Sequence, residues 1–245
     1  MTQDSGQSSG TGPRVAIITG GSQGIGAGLV AGYRQRGWAV VANARTVEPA
    51  ADPQIVTVAG DISKPATADL VMGAALGRFG RVDTLVNNAG VYISKPFTDY
   101  TADDYALVTG VNLAGFFWLT QLAVADMLTR GRGHVVTIGA SVAEYPVSAE
   151  PSVMASLTKG GLAAATKALA VEYASRGIRV NAVAPGLIQT PLRAPEDYAA
   201  LADRLPPLGR IGQVSDIVDS ILYLESASFV TGQVLYVDGG HSAGH

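Results

Sequence analysis

A five-residue β-branched run, Val15–Thr19 (VAIIT), ends directly in Thr19-Gly20-Gly21-Ser22-Gln23-Gly24-Ile25-Gly26. From Gly24 to Arg36 the apolar residues then recur every three or four positions. Strand, glycine-rich turn and helix in this order open a βαβ unit, and such a turn suits an anion. Gly20 lets the chain turn, Gly24 keeps a side chain out of the space a pyrophosphate needs, and Gly26 lets helix and strand pack closely. With Ser22, Gln23 and Ile25 between them, the turn offers free N–H groups and the positive dipole end of the helix to phosphates. An ordinary glycine-rich turn has a similar composition, and the position after the first strand is what raises the dinucleotide reading above it.

The same alternation continues along the chain. Ala39–Ala44, Ile55–Ala59, Thr84–Asn87, His134–Ile138, Arg179–Ala184 and Val234–Val237 are short continuous apolar runs, the pattern of strands buried on both faces. Between them Pro65–Phe79, Ala102–Arg130, Val153–Arg176 and Val214–Leu224 show helical spacing, with Phe116, Leu119, Ala123 and Met127 on one stripe of the longest. This predicts an α/β fold: a single-domain, Rossmann-like, doubly wound parallel sheet of about seven strands with helices on both faces. The length of 245 residues suits one domain, residues 13–245, and Met1–Gly12 reads as a disordered polar tail without the apolar core of a signal peptide. In open α/β sheets ligands bind beyond the carboxyl ends of the strands, where the loops Val91–Thr101, Ala140–Ser152 and Gly186–Pro207 lie.

Composition removes several classes of chemistry. With no cysteine there is no disulfide scaffold, thiolate zinc site, iron–sulfur cluster or cysteine nucleophile, and the three histidines show no metal spacing. A net charge of −3 argues against a nucleic-acid surface. No apolar run approaches the roughly 18 residues that span a membrane, so a soluble, cytoplasmic protein is expected. The 15% of charged residues, against about 25% in ordinary domains, points to much buried surface and to subunit contacts.

Cofactor choice should be read at the end of the second strand, where a carboxylate would accept from a ribose 2′-OH. Asn43-Ala44-Arg45-Thr46 stands there instead. Arg45 is suited to a 2′-phosphate, which favours NADP(H) over NAD(H). Asp61, just past the third strand, is either an acceptor for the adenine amino group or a helix N-terminal residue, with Ile62 beside it.

At this point the chain resembles the short-chain dehydrogenase/reductase family from Arg14 to about Gly240. The resemblance is carried by TGGSQGIG at Thr19–Gly26, Asp61, NNAG at Asn87–Gly90, VNLAG at Val111–Gly115, Ser141, Lys159, PGLIQTP at Pro185–Pro191 and VTGQVLYVDGG at Val230–Gly240. It implies that Asn88, Ala89 and Gly90 line the adenosine side of the cofactor, and that Pro185, Gly186, Ile188 and Thr190 flank the nicotinamide. It also implies a catalytic set of an Asn, a Ser and a Tyr-x-x-x-Lys pair, the Lys holding the nicotinamide ribose and lowering the tyrosine pKa. Asn112, Ser141 and Lys159 fill three of these places, but Ala155 stands one helical turn before Lys159 where the tyrosine belongs.

Reducing a ketone creates an alkoxide, and a general acid is worth roughly 10²–10⁴ in rate as it forms. Three readings follow from Ala155. Another group donates: Tyr145, with Glu144 next to it, or water, as in the dienoyl-CoA reductase branch of the family, where the acid tyrosine comes from upstream. Or the substrate is an activated C=C or C=N bond that needs less acid. Or the protein is a catalytically inactive NADP(H)-binding or scaffold protein. The preferred expectation is an NADPH-dependent oxidoreductase transferring hydride to a small, mostly apolar carbonyl or conjugated substrate. Asn112 and Lys159 would organise the ribose and a water relay, and Ser141 would bind the substrate's polar atom. Tyr92, Phe97, Tyr145, Met154, Leu187, Leu192 and Tyr198 would wall the pocket, and Thr190–Leu205 would form a lid. The Ala/Gly-rich helix from Val153 and the family's usual assembly imply a homodimer or homotetramer.

Overall fold

The computed structural model describes residues 12–148, 150–191 and 206–244. The expected N-terminal tail (Gly12 apart), the expected wall residues Leu192 and Tyr198, most of the expected lid and His245 lie outside the described residues.

Seven parallel strands form one sheet in the order β3-β2-β1-β4-β5-β6-β7. They are β1 (Val15–Thr19), β2 (Ala39–Ala44), β3 (Ile55–Ala59), β4 (Thr84–Asn87), β5 (Gly133–Ile138), β6 (Ile178–Pro185) and β7 (Val234–Val237). The strand order reverses between β1 and β4, whose register pairs Ala16 with Thr84 and Ile18 with Val86. Alternate residues feed two cores. Ala16, Ile18, Val40, Val86 and Val183 meet Leu29 and Tyr33 of α1 (Gly24–Gln35) and Ile217, Ile221 and Leu224 of α6 (Val214–Ser226). Ile17, Val41, Leu85, Val135 and Val180 meet α2 (Pro65–Phe79) and α4 (Gly115–Arg130) on the other face. A β-carbon on Gly28 would lie 2.4 Å from Val214, so that glycine lets α1 and α6 pack closely.

The sequence pattern reads these elements to within a residue or two, with three differences. The strands are not all buried on both faces: the edge strands β3 and β7 are mostly half-buried, because each has only one sheet neighbour. The expected helix Ala102–Arg130 is α3 (Ala102–Thr109) and α4 joined by a π-helical turn at Gly110–Ala114. The expected helix from Val153 likewise holds a π turn at Ser156–Gly160 before α5 (Gly161–Tyr173). Phe117 is half exposed and packs edge-to-face on Trp118, with ring centroids 4.9 Å apart. The 29-residue helical stretch Ala102–Arg130 is long and apolar enough to cross a membrane by length and composition. Here Leu119, Ala123 and Met127 put one face of it in the core against the sheet.

At the opposite end of the sheet from the loops, a buried polar cluster ties the layers together. The Glu225 carboxylate accepts from Tyr33 Oη (2.9 Å), Thr84 Oγ1 (3.0 Å) and His134 Nδ1 (3.3 Å). His134 Nε2 faces Asn181 Nδ2 at 3.1 Å. Asn181 donates there, so His134 is the neutral Nδ1–H tautomer. Burial holds its pKa below 6.5. Burial pushes the Glu225 carboxyl up, but its hydrogen bonds outweigh that and leave it below 4.5.

Both shifts carry the same sign. Each group binds its proton less readily when folded, so its stabilisation is complete above the unfolded pKa and is lost as pH falls. Stability is therefore expected to decline below about pH 6.5, first through His134 and then through Glu225. A urea-unfolding series from pH 8 to pH 4 checks this, and a flat profile would contradict it. Glu225→Ala strands Tyr33, Thr84 and His134, with an expected loss of about 3–5 kcal/mol at pH 7.5.

Candidate active site

The loops after β1 and β4 meet at the point where strand order reverses. Asn88 Nδ2 donates to Thr19 O at 2.8 Å and to Gly20 O at 3.2 Å. Thr19 Oγ1 accepts from the backbone N–H groups of Asn88 (3.0 Å) and Ala89 (2.9 Å). Asn88 is thus spent on holding the glycine turn. Within that turn Gly24 has φ +54°, a left-handed conformation that favours glycine. A β-carbon on Gly26 would sit 2.0 Å from Gly20 O, so this glycine makes room for the turn's own backbone.

Gln23 precedes α1 without a side-chain cap, and the first turn of α1 holds no acidic residue. First-turn N–H groups lack intrahelical partners, so this end is suited to an anion. Thr190 lies across from it, with Cβ and Cγ2 3.5 Å from the position of a β-carbon on Gly24. That placement follows from a short parallel bridge, Ile188 to Gly212, which carries the chain after β6 back over α1. Ile188 itself is buried in the core shared by α1 and α6. Gly186 is close-packed on β7, where a β-carbon would lie 2.7 Å from Asp238 Cα, and Pro185 ends β6 opposite Val237.

Arg45 is exposed just past β2 and makes no ion pair among the described residues. Beneath it the buried Asn43 amide donates to Val58 O (3.0 Å) and Gly60 O (3.2 Å), fixing the end of β3. Asp61 Oδ1 accepts from Ser63 N at 3.0 Å and so forms a turn leading to α2, the helix-entry role that its position allowed. Ile62 is buried against Gly115.

The two π turns face each other. Buried Asn112, in the first, takes Val91 N–H on its Oδ1 (2.9 Å) and donates to Val91 O (3.0 Å) and Thr158 Oγ1 (3.2 Å). Both its side-chain donors are thereby engaged. Lys159, in the second, donates from Nζ to Ile138 O at 2.8 Å. It is largely buried, and that burial lowers its amine from 10.5 to about 8. A β-carbon on Gly90 would come within 2.9 Å of Nζ. A small cavity, of the order of one water molecule, lies between Lys159, Asn112, Asn87, Thr137 and Thr19. π-helical turns recur at functional sites because they interrupt the regular helical bonding.

Ser141 is buried in the single turn that follows β5 and accepts on its backbone oxygen from Tyr145 N at 2.9 Å. The Tyr145 ring is half exposed and stands edge-on to Tyr236 of β7, centroids 5.2 Å apart. Burial first, and then hydrogen bonds to Glu144 and Tyr145, raise the Tyr236 pKa. Across the mouth, Tyr92 Oη donates to Glu150 Oε1 at 2.8 Å and Ser94 Oγ to Pro151 O at 2.9 Å. Met154, an expected wall residue, is buried, whereas Tyr92 and Phe97 are exposed. Sequence reasoning missed Asn43, Thr158 and Tyr236. Their only signal was a polar residue within or beside an apolar run, which does not say what it binds.

A family model described as enoyl-(acyl carrier protein) reductase matches residues 20–242. The chain is 36% identical to 3β-hydroxysteroid dehydrogenase 1 of Eggerthella lenta, over 93% of each chain. It is 35% identical to the 3-oxoacyl-[acyl-carrier-protein] reductase of Thermotoga maritima, over 93% of this chain and 97% of the relative. Its backbone also superposes on a gluconate 5-dehydrogenase from Burkholderia cenocepacia, solved with NADP and tartrate. That match has a TM-score of 0.86 and 32% identity, covering 95% of this chain and 96% of the other.

The chain belongs to the short-chain dehydrogenase/reductase family. Its relatives are named dehydrogenases and reductases, and it is an oxidoreductase of that type. Ala155, one turn before Lys159, is buried. The glycine turn allows a paired test of geometry. Gly26→Ala meets a backbone oxygen that cannot move aside, with an expected cost of about 3 kcal/mol. Gly24→Ala meets Thr190 only at ordinary van der Waals distance and costs its left-handed backbone, about 1 kcal/mol. Denaturant midpoints of the two variants measure this, and equal losses would show that the turn relaxes around Gly26.

Proposed function

We propose that the protein is an NADPH-dependent reductase acting on a small, mostly apolar carbonyl or conjugated substrate. The observation that carries this is the N-terminus of α1, which among the described residues has no side-chain cap and no acidic residue in its first turn, with Thr190 across from it. These residues fit a nicotinamide dinucleotide. Gly20, Ser22, Gln23, Gly24, Ile25 and Gly26 would take the pyrophosphate. Exposed Arg45 would take a 2′-phosphate, and Asp61, Ile62, Ala89 and Gly90 would line the adenosine. Pro185, Gly186, Ile188 and Thr190 would border the nicotinamide end. NADP in the Burkholderia cenocepacia neighbour supports the same assignment.

The bound dinucleotide supplies the hydride. Lys159 holds the nicotinamide ribose, and Asn112, locked on Val91 and Thr158, fixes the cleft around it. Ser141 binds the substrate's polar atom, and Tyr145 or a water provides the proton. Ala155 favours a second reading, an activated C=C or C=N bond, because charge that is delocalised or cancelled as it forms calls for a weaker acid. Exposed Tyr105, Leu107, Phe117, Leu157 and Val171 on the outer helices support assembly as a homodimer or homotetramer. We place the protein in the cytoplasm.

Fluorescence titration should show NADPH binding to the purified protein, and no binding would end the proposal. Arg45→Ala should weaken NADPH by roughly tenfold or more, the worth of a charge-assisted hydrogen bond, and leave NADH unchanged. Equal losses for both would remove Arg45 from specificity. NADPH consumption against a ketone, quinone, enone and imine panel identifies the reducible bond. Ala155→Tyr should raise plain-ketone reduction by about 10²-fold or more if only the acid is missing.

A further inference from the structure

We infer that the ammonium group of Lys159 is itself the proton donor of this enzyme, taking over the task of the absent tyrosine. The inference rests on the reductase reading above and puts a third group in the place that reading gave to Tyr145 or water. Three observations carry it. Ala155, one helical turn before Lys159, places only a methyl group where a phenol would stand. Among the described residues, Lys159 Nζ gives a single hydrogen bond, to Ile138 O at 2.8 Å, so two of its three N–H bonds have no protein acceptor. Among the described residues no other titratable side chain lines the cavity beside it. Thr19 of β1, Asn87 of β4, Thr137 of β5, Asn112 of the first π turn, Phe116 of α4 and Ile62 after β3 are all neutral, as are the remaining lining residues.

The amine is shaped for the task. Burial alone, with no opposing carboxylate, brings it to about 8. A general acid works best with a pKa near the operating pH, and lysine is readily tuned there by burial. Among the described residues Thr137 Oγ1 has no hydrogen-bond partner; it is buried and lines the same cavity, so a water there would bond both it and the ammonium.

The proton balance is simple. NADPH, oxidised to NADP⁺, gives the substrate carbon a hydride. The electron pair of the carbonyl π bond moves to oxygen, or that of a conjugated bond to the end of the system. That atom takes a proton from Lys159, directly or through the cavity water. Lys159 is left as a neutral amine and regains its proton from solvent.

The first test needs no cofactor. Competitive acetylation of the purified protein with acetic anhydride, read at Lys159 by peptide mass spectrometry across pH 6–11, should show an inflection near 8. An inflection at 10 or above overturns the inference. The second test is the pH profile of kcat/KM with the substrate found by the panel. It should fall tenfold per unit above about pH 8. Lys159→Arg keeps the positive charge but cannot release a proton in this range, so it should lose at least 100-fold and lack that limb. Lys159→Ala should regain rate with added ethylamine, methylamine or trifluoroethylamine, in proportion to their acid strength. Rescue independent of amine pKa, or Lys159→Arg within tenfold of the parent, would mean that Lys159 only positions other groups. A parent protein that reduces nothing overturns both readings. A parent that reduces a substrate with a profile flat to pH 10 overturns this inference alone.

Discussion

The junction between β1 and β4 is the constraint on which the rest of the molecule depends. Strand order reverses there, so the loops that leave the two strands diverge and open a crevice. Left alone, a glycine-rich turn beside such a crevice would be the most mobile part of the fold, since each glycine adds conformational freedom. Asn88 removes that freedom with two hydrogen bonds to the carbonyls of Thr19 and Gly20, and Thr19 Oγ1 returns two more from the other loop.

A second lock works at the far end of the sheet. Glu225 collects hydrogen bonds from α1, β4 and β5, while Arg179 donates to the carbonyls of Leu224, Ala227 and Val230. A buried carboxylate is costly unless its lone pairs are filled, and here the donors come from elements far apart in sequence. The cluster joins the helical layer of α1 and α6 to the central strands. The open end of the sheet can therefore carry half-exposed aromatics such as Tyr92, Phe97 and Tyr145 without having to hold the fold together.

The two π turns link fold and chemistry. They carry Asn112, which bonds Val91 in the loop after β4, and Lys159, which bonds Ile138 at the end of β5. Asn112 then braces both the loop after β4, through Val91, and the second π turn, through Thr158. Lys159 is left in a neutral, largely apolar setting, and desolvation changes its acidity because nothing opposes it. Its one hydrogen bond among the described residues goes to Ile138 O, the last residue of β5.

The sequence by itself determined the sheet, its helices and the glycine turn after β1, because strand and helix periodicity and glycine placement are local properties. VAIIT before TGGSQGIG predicts β1, the turn and α1 without reference to any other part of the chain. Element ends, the π turns and the half-buried state of β3 and β7 were not legible, since they depend on neighbours in the folded sheet. Among site residues, Lys159 and Asn112 were named from spacing, yet only the tertiary structure decided what they do. It spent Asn88 on the turn, buried Ile188 in the core, stood Tyr145 against Tyr236 and surrounded Lys159 with neutral groups. Hydrogen-bond partners and desolvation are set by residues tens to more than a hundred positions away, and no local pattern in the chain encodes them.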